Sequence, residues 1–325
     1  MVDNPVISVV IPLPDDRGQA YESLKGFTQQ TVNVAHEVIV PTDAASADEI
    51  AWLVELFPQV HWIYRPGLNV NALYNVGAQV ARGEYLYITE AHCIPRSDCL
   101  QRIYEFVQES EFAAACSASD GINGNYVAEG EQWIFEEDFH QWMKAQKCKI
   151  AIRGTLIKRR LWEDVGGFQA EFGHFSEMLI GSKLEAAGVR IGFAAKSWVS
   201  HCNQVSLKEL SAELIEYGED ECRSCHLMPA ELHVADTKEW ADREWLQKNS
   251  MWLRFRQTKE AIRQRVRAIA IGYLPLSRKS RLQLFRRFWQ GAIRQGRLKY
   301  VASMKSQPQT SEEVAASPVV YQKAA

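Results

Sequence analysis

No stretch of the sequence reaches the ~18 consecutive apolar residues that a bilayer-crossing helix needs, so a chain of helical membrane spans is excluded. The opening MVDNPVISVV has no basic segment ahead of an apolar one, and the expectation is no secretory signal and a cytoplasmic protein. Cysteine is sparse. Seven occur in 325 residues, an odd number without regular spacing, which excludes a disulfide framework and suits a reducing compartment. Cys222, Cys225 and His226 form a C-x-x-C-H string, but covalent haem attachment normally needs export. Zinc on Cys222, Cys225, His226 and His233 lacks a second cysteine pair, and ordinary thiols in a helical region are the plainer reading. Internal repeats are absent, and the last stretch, 306–325, has no periodicity and reads as disordered.

Acidic residues are nearly missing from one segment. Residues 254–305 hold 15 Lys+Arg and a single acid, Glu260, a net of +14, whereas residues 1–253 carry a net of −16. Such asymmetry points to a basic module with an anionic partner. FRQTKEAIRQRVRAIAIGYLPL (255–276) and SRKSRLQLFRRFWQGAIRQGRLKYV (277–301) combine apolar stripes with Arg and Lys; in the second, Leu282, Phe285, Phe288, Trp289, Ala292 and Ile293 recur at helical spacing among arginines. That composition fits a helix lying on an anionic membrane surface, and equally a helix packed on the acidic half of the chain. Nothing frames these charges as a nucleic-acid module, so nucleic acid is not an expected partner.

The first half alternates strand and helix. VISVVIP (6–12), EVIVP (37–41), VHWIY (60–64) and YLYI (85–88) read as buried strands. YESLKGFTQQT (21–31), NALYNVGAQVARG (71–83, with Gly83 as a stop) and a segment near 97–109 read as helices, followed by a strand near 112–117. This rhythm predicts a mostly parallel sheet with helices on both faces. A second block, 151–204, gives strand, helix to Gly166-Gly167, helix, and strands ending in SWVSH at His201. Beyond residue 205 the pattern is helical. The expected organisation is therefore a catalytic α/β domain over 1–204, a basic helical region over 205–305 and the tail.

One short stretch carries chemistry. In EYLYITEAHCIP (84–95) an apolar strand runs directly into Glu90 and His92. Ligands of open α/β sheets lie beyond the carboxyl ends of the strands, which is where these two side chains fall.

SVVIP, EVIVPTD, YNVGAQVARGEYLYITEAH, VGGF and SEMLIGSKLEAAG…SWVSH stand in an order and spacing that resembles the family 2 glycosyltransferases of the GT-A fold, over residues 5–204. The resemblance implies an α/β, GT-A-type nucleotide-sugar-binding sheet with a C-terminal helical extension. It implies transfer of a sugar from a nucleotide sugar to an acceptor hydroxyl, with inversion, on a glycan or lipid-linked acceptor. Nucleotide-sugar contacts are implied at Pro12, Thr42, Asp43, Asn75 and Glu90. The family's Asp-x-Asp aligns with Glu90-Ala91-His92, and a metal-proximal histidine aligns with His201. Glu90, His92 and His201 are thus the implied metal ligands, and a carboxylate with imidazoles favours Mn²⁺ over Mg²⁺. Direct contact of His92 with phosphate, or a lapsed site, are the competing readings. The family's catalytic base aligns with Glu177, though Ser176-Glu177 is also a plain helix-start signal. Trp133 and Trp142, in EQWIFEEDFHQWMKAQ (131–146), fall where the family faces its acceptor, or else pack a core. Arg153 and Lys158 are further candidates for phosphate. A catalytically silent relative that binds sugar nucleotide or glycan as a scaffold is the alternative function.

Overall fold

The run Ile7–Val10 is buried along its whole length because both of its faces are covered. In the computed structural model, which describes residues 4–122, 124–145, 150–228 and 250–306, this strand, β1, pairs in parallel with β2 (His36–Thr42) and β4 (Tyr85–Ile88). Strand β3 (His61–Tyr64) extends the parallel half beyond β2. Then β7 (Thr155–Lys158) enters antiparallel between β4 and β6 (Ala114–Ile122), and β8 (Ile191–Cys202) runs parallel to β6. A three-residue edge strand, β5 (Cys93–Pro95), pairs antiparallel with β8. The full order is β3-β2-β1-β4-β7-β6-β8-β5.

Alternation along the strands sends side chains into two cores. Ile7, Val9 and Ile11 meet Leu24 and Phe27 of α1 (Ala20–Thr28) and Leu100 and Ile103 of α4 (Cys99–Glu109). Val10, Leu86 and Ile88 face Tyr74 and Ala78 of α3 (Val70–Val80), Trp162 of α6 (Arg159–Asp164), and Ile180 and Leu184 of α7 (Ser176–Ala186). The expected mostly parallel sheet with helices on both faces is what the structure shows. Three helices and strands escape the sequence pattern: α2 (Ala51–Leu56) and β5, each too short for a period to register, and α5 (Tyr126–Ala145). Helix α3 ends at Val80, and Gly83 has a different use from a stop. Its N–H donates to Ser8 Oγ at 2.9 Å, an approach that a Cβ would block.

Four further helices complete the described chain: α5 (Tyr126–Ala145), α8 (Leu207–Leu227), α9 (Ser250–Tyr273) and α10 (Arg278–Ser306). Phe285, Phe288 and Ala292 of α10 are buried with Leu210 and Leu214 of α8 and Val127 of α5. The apolar stripe of α10 therefore faces the acidic half of the chain. Charge follows the same route: Arg297 pairs with buried Glu221 at 2.5 Å, and Arg278, Arg286 and Lys299 pair with Glu129, Glu137 and Glu219. From residue 307 the tail lies outside the described residues. No helix among the described residues is long and apolar enough to cross a membrane.

Helices α8 and α10 touch backbone to backbone at two glycines. A Cβ on Gly218 would meet the Ile293 carbonyl, and one on Gly296 the Ile215 carbonyl. Carbonyls on rigid helices cannot yield, so Gly296→Ala is expected to force the pair apart and cost about 1–3 kcal/mol. A lowered thermal midpoint checks this; an unchanged one removes the close approach as a determinant of the helical layer.

Candidate functional site

The carboxyl ends of β1 and β4 and the last residues of β8 open into one cavity of about 290 Å³. Pro12, Arg17, Tyr74, Glu90, His92, Glu131, Arg153, Glu177, His201 and Glu213 are among its lining residues. The register of β5 on β8 sets Cys93 opposite His201, which brings His92 against His201 although 109 residues separate them.

The two imidazoles are fully specified. His92 Nδ1 lies 2.8 Å from the Asp15 carbonyl oxygen, which can only accept, so Nδ1 carries the proton. His201 Nδ1 lies 2.7 Å from Asn203 Oδ1. Asn203 donates through Nδ2 to the Ala128 carbonyl at 3.2 Å, so its oxygen faces His201, and this Nδ1 too is protonated. Both Nε2 lone pairs then point at each other across 3.1 Å. Glu90 closes the triangle, with Oε1 3.5 Å from His92 Nε2 and Oε2 3.4 Å from His201 Nε2. Two imidazole lone pairs and a carboxylate cannot remain this close without a proton or a cation among them.

The spacing admits a cation as well as a shared proton. Ligand bonds near 2.1 Å put neighbouring donor atoms about 3.0 Å apart in an octahedron and about 3.4 Å apart in a tetrahedron. Each imidazole is also anchored through Nδ1–H to an oxygen, the arrangement that fixes metal-binding histidines. Burial pushes His201 down to about 3, and Arg153 nearby adds to this, so it stays neutral and able to ligate. Burial opposes ionisation of Glu90, but positive charge at the His92–His201 pair, together with Arg17, outweighs it and holds the carboxylate well below its ordinary range. Cys93 also offers its sulfur, within 4.8 Å of donor atoms of Glu90 and His201. Burial and then Glu90 raise that thiol above its usual value, which leaves it protonated and the weakest of the four donors. Among the described residues no other group of three His, Cys, Asp or Glu side chains gathers this way.

Glu177 occupies the first turn of α7 and lines the same cavity. Burial and then the charge of Glu90 push it up to about 8, against Arg153 and a hydrogen bond from the Ile152 backbone. Arg153 itself is held by Glu131 at 3.4 Å, Gln132 at 3.1 Å and Asn203 at 3.3 Å, over the Phe135 ring. Arg17 donates to the Cys202 carbonyl at 2.8 Å and approaches Glu213 at 3.4 Å. Buried Tyr74 donates to the Thr89 carbonyl at 3.0 Å, pinning the strand end that carries Glu90.

The structure thus brings together Pro12, Glu90, His92, Glu177 and His201, with Arg153. Thr42 is buried at the end of β2 and Asp43 is exposed after it, both outside this cavity. Asn75 is committed elsewhere: its amide donates to the Phe168 carbonyl at 2.7 Å and accepts from the Phe168 N–H at 2.9 Å. Lys158 is exposed on β7. Trp133 is half-buried beneath the Arg286 guanidinium, and the side chain of Trp142 lies outside the described residues. Cys222 and Cys225 are buried, with Cys222 pushed up to about 12 chiefly by burial, and His226 stacks on Tyr300; His233 lies outside the described residues. Arg17, Asn203, Glu131 and Glu213 escaped the sequence reading. Asn203, two residues beyond His201, and Glu131, two before Trp133, are the ones that proximity to a candidate could have flagged.

Residues 8–166 match the family Glycosyl transferase family 2. No curated protein matches the sequence. Among solved structures, the chain is similar to the mannosyltransferase PcManGT from Pyrobaculum calidifontis in complex with GDP-Man and Mn²⁺, at 16% identity and a TM-score of 0.55, over 93% of this chain and 87% of that one. It is also similar to GalNAc-T7 with UDP, GalNAc and Mn²⁺, at 13% identity and a TM-score of 0.50, over 74% of this chain and 54% of that one. At these identities the likeness is one of fold: the GT-A arrangement of sheet and helices.

Because Asn203 orients His201, Asn203→Ala is expected to weaken Mn²⁺ binding by about 10–100-fold with folding retained. Calorimetric titration measures it; equal affinity in wild type and variant would mean that His201 is not a ligand.

Proposed function

We propose that this chain, whose residues 8–166 are a glycosyltransferase family 2 domain, moves a sugar from a nucleotide-sugar donor to an acceptor hydroxyl with inversion at the anomeric carbon. The observation that carries this reading is the convergence, in one cavity, of a cation-seeking triad and a carboxylate raised toward neutral pH. Displacement at a sugar carbon needs positive charge where the diphosphate departs and a proton acceptor at the incoming hydroxyl.

Glu90, His92 and His201 would hold the metal, and when bound it supplies positive charge against the diphosphate. The mixed nitrogen and oxygen donors suit Mn²⁺ better than Mg²⁺, and both similar structures contain Mn²⁺. Arg17 and Arg153 add fixed positive charge to the same cavity. Pro12, Thr42 and Asp43, at the ends of β1 and β2, take the nucleotide, and Asn75 shapes that wall through its clamp on Phe168. Glu177 removes the acceptor proton. Its raised affinity for protons comes partly from Glu90, so compensating the charge of Glu90 returns Glu177 toward a carboxylate at neutral pH. Helix α5, with Trp133 and Trp142, faces the acceptor. We place the reaction in glycan, cell-surface polysaccharide or glycolipid synthesis, at the cytoplasmic face of a membrane.

The first test is a panel of UDP-, GDP- and TDP-sugars with and without Mn²⁺, read by thermal stabilisation and donor turnover. One donor is expected to stabilise the protein only with Mn²⁺, by about 2.7 kcal/mol at one hundred times its dissociation constant. Saturable binding without turnover on any acceptor would instead make this a silent binder.

Glu177→Gln separates base from helix start. Turnover is expected to fall by about 10²–10⁴-fold with donor binding kept, whereas a helix-start role predicts only a small stability loss. Wild-type turnover should rise with pH as Glu177 ionises, below about 8, and the variant should lose that dependence. Stability moves the other way. The folded state holds this proton more tightly than the unfolded chain, so the contribution is complete below the ordinary glutamate range and is lost as pH rises toward 8. Thermal midpoints should therefore shift in favour of Glu177→Gln between pH 5 and pH 8, a comparison that a solvated Glu177 would leave flat.

A further inference from the structure

Helix α9 presents its apolar side to solvent and its polar side to the protein. Toward α10 it buries Glu260 and Gln264. Arg267 donates to Glu260 at 2.8 Å, Gln264 to the Phe288 carbonyl at 2.8 Å, and Gln257 to the Leu298 carbonyl at 3.1 Å. Leu253 and Ile271 are the buried apolar ends of this face. On the opposite side Phe255, Ile262, Val266, Ile269 and Tyr273 are exposed by 63%, 56%, 60%, 58% and 85%. At 3.6 residues per turn these five lie within a sector of about 60°, a continuous stripe along most of the helix.

Cations line both borders of that stripe. Arg254 and Arg265 fall on one side, and Arg256, Lys259 and Arg263 on the other. The one acid of the helix, Glu260, is buried beneath, paired with Arg267 and Arg263. Helix α10, by contrast, turns its apolar stripe inward and satisfies several of its cations on glutamates of the acidic half. Among the described residues no acid pairs with Arg254, Arg256, Lys259 or Arg265, which border the outer face of α9.

We propose that this face seats the protein on an anionic membrane, with the apolar stripe between lipid headgroups and the flanking Arg and Lys on lipid phosphate. A helix with an apolar sector bordered on both sides by cations gains from both layers of that interface. A second copy of the chain is the poorer occupant, because antiparallel or parallel stripes in contact would bring like-charged borders together. Nucleic acid would meet the cations and leave the stripe exposed. The inference names the surface behind the membrane placement proposed above, but vesicle binding is read without turnover, so either idea can fail alone.

The test uses the full chain in flotation with phosphatidylcholine vesicles, with and without phosphatidylserine. Wild type is expected to float with the anionic vesicles and not the neutral ones, with affinity falling as salt is raised. Ile262→Ser/Val266→Ser/Ile269→Ser should lose about 30-fold or more. Arg254→Gln/Arg265→Gln should lose about 25-fold, near fivefold for each cation removed. All five substitutions are at exposed positions, so unchanged thermal midpoints would certify the fold. No flotation of wild type with anionic vesicles at low salt overturns the proposal, as does equal binding by the triple variant. A wild-type dimer in sedimentation equilibrium that the triple variant dissolves, with no affinity for vesicles, would assign the stripe to self-association instead.

Discussion

Two imidazoles turned Nε2 to Nε2, 3.1 Å apart and flanked by a carboxylate, are unstable without a proton or a cation between them. The surrounding structure is arranged to keep them so. The Asp15 carbonyl and Asn203 fix the ring protons on the outer nitrogens, and the β5–β8 ladder sets the rings in register. Arg153 and Gln132 then hold Asn203 itself. Each of these supports costs the chain a buried polar group that must be bonded. A packed core does not need such an arrangement. A cation site does.

The electrostatics of the cavity follow from the same arrangement. Glu90 stays ionised because positive charge at the His92–His201 pair and on Arg17 faces it, and burial and then that negative charge raise Glu177. Two carboxylates in one pocket are thereby pushed apart in proton affinity, as the proposed division into cation ligand and proton acceptor requires. Arg17 and Arg153 are tied to Glu213 and Glu131, so the positive charge lining the cavity is positioned before any ligand arrives.

Much of this was legible in the sequence. The parallel half of the sheet follows from four apolar runs separated by helical periods, and Glu90 and His92 fall at a strand end where a site belongs. His201 and Glu177 were found through the family's ordered motifs rather than through any local pattern. What escaped did so for physical reasons. Three-residue β5 has no period, yet its pairing is what joins His92 to His201. Arg17 acts through a contact made across 185 residues of chain, which no window of sequence contains, and Asn203, although only two residues from His201, is itself oriented by a contact 75 residues away. Both basic stretches, 255–276 and 277–301, pointed to a lipid surface or to a packing face; the structure buries the apolar stripe of α10 and exposes that of α9.

The central claim is that a divalent ion belongs between His92, His201 and Glu90. Crystals grown with MnCl₂ and measured at the manganese absorption edge test it most directly. The account expects one anomalous peak about 2.1–2.3 Å from both Nε2 atoms and a Glu90 oxygen, with neither imidazole turned away. A structure in which the two rings share a proton at the same 3.1 Å separation, with no manganese between them at saturating concentration, would contradict it.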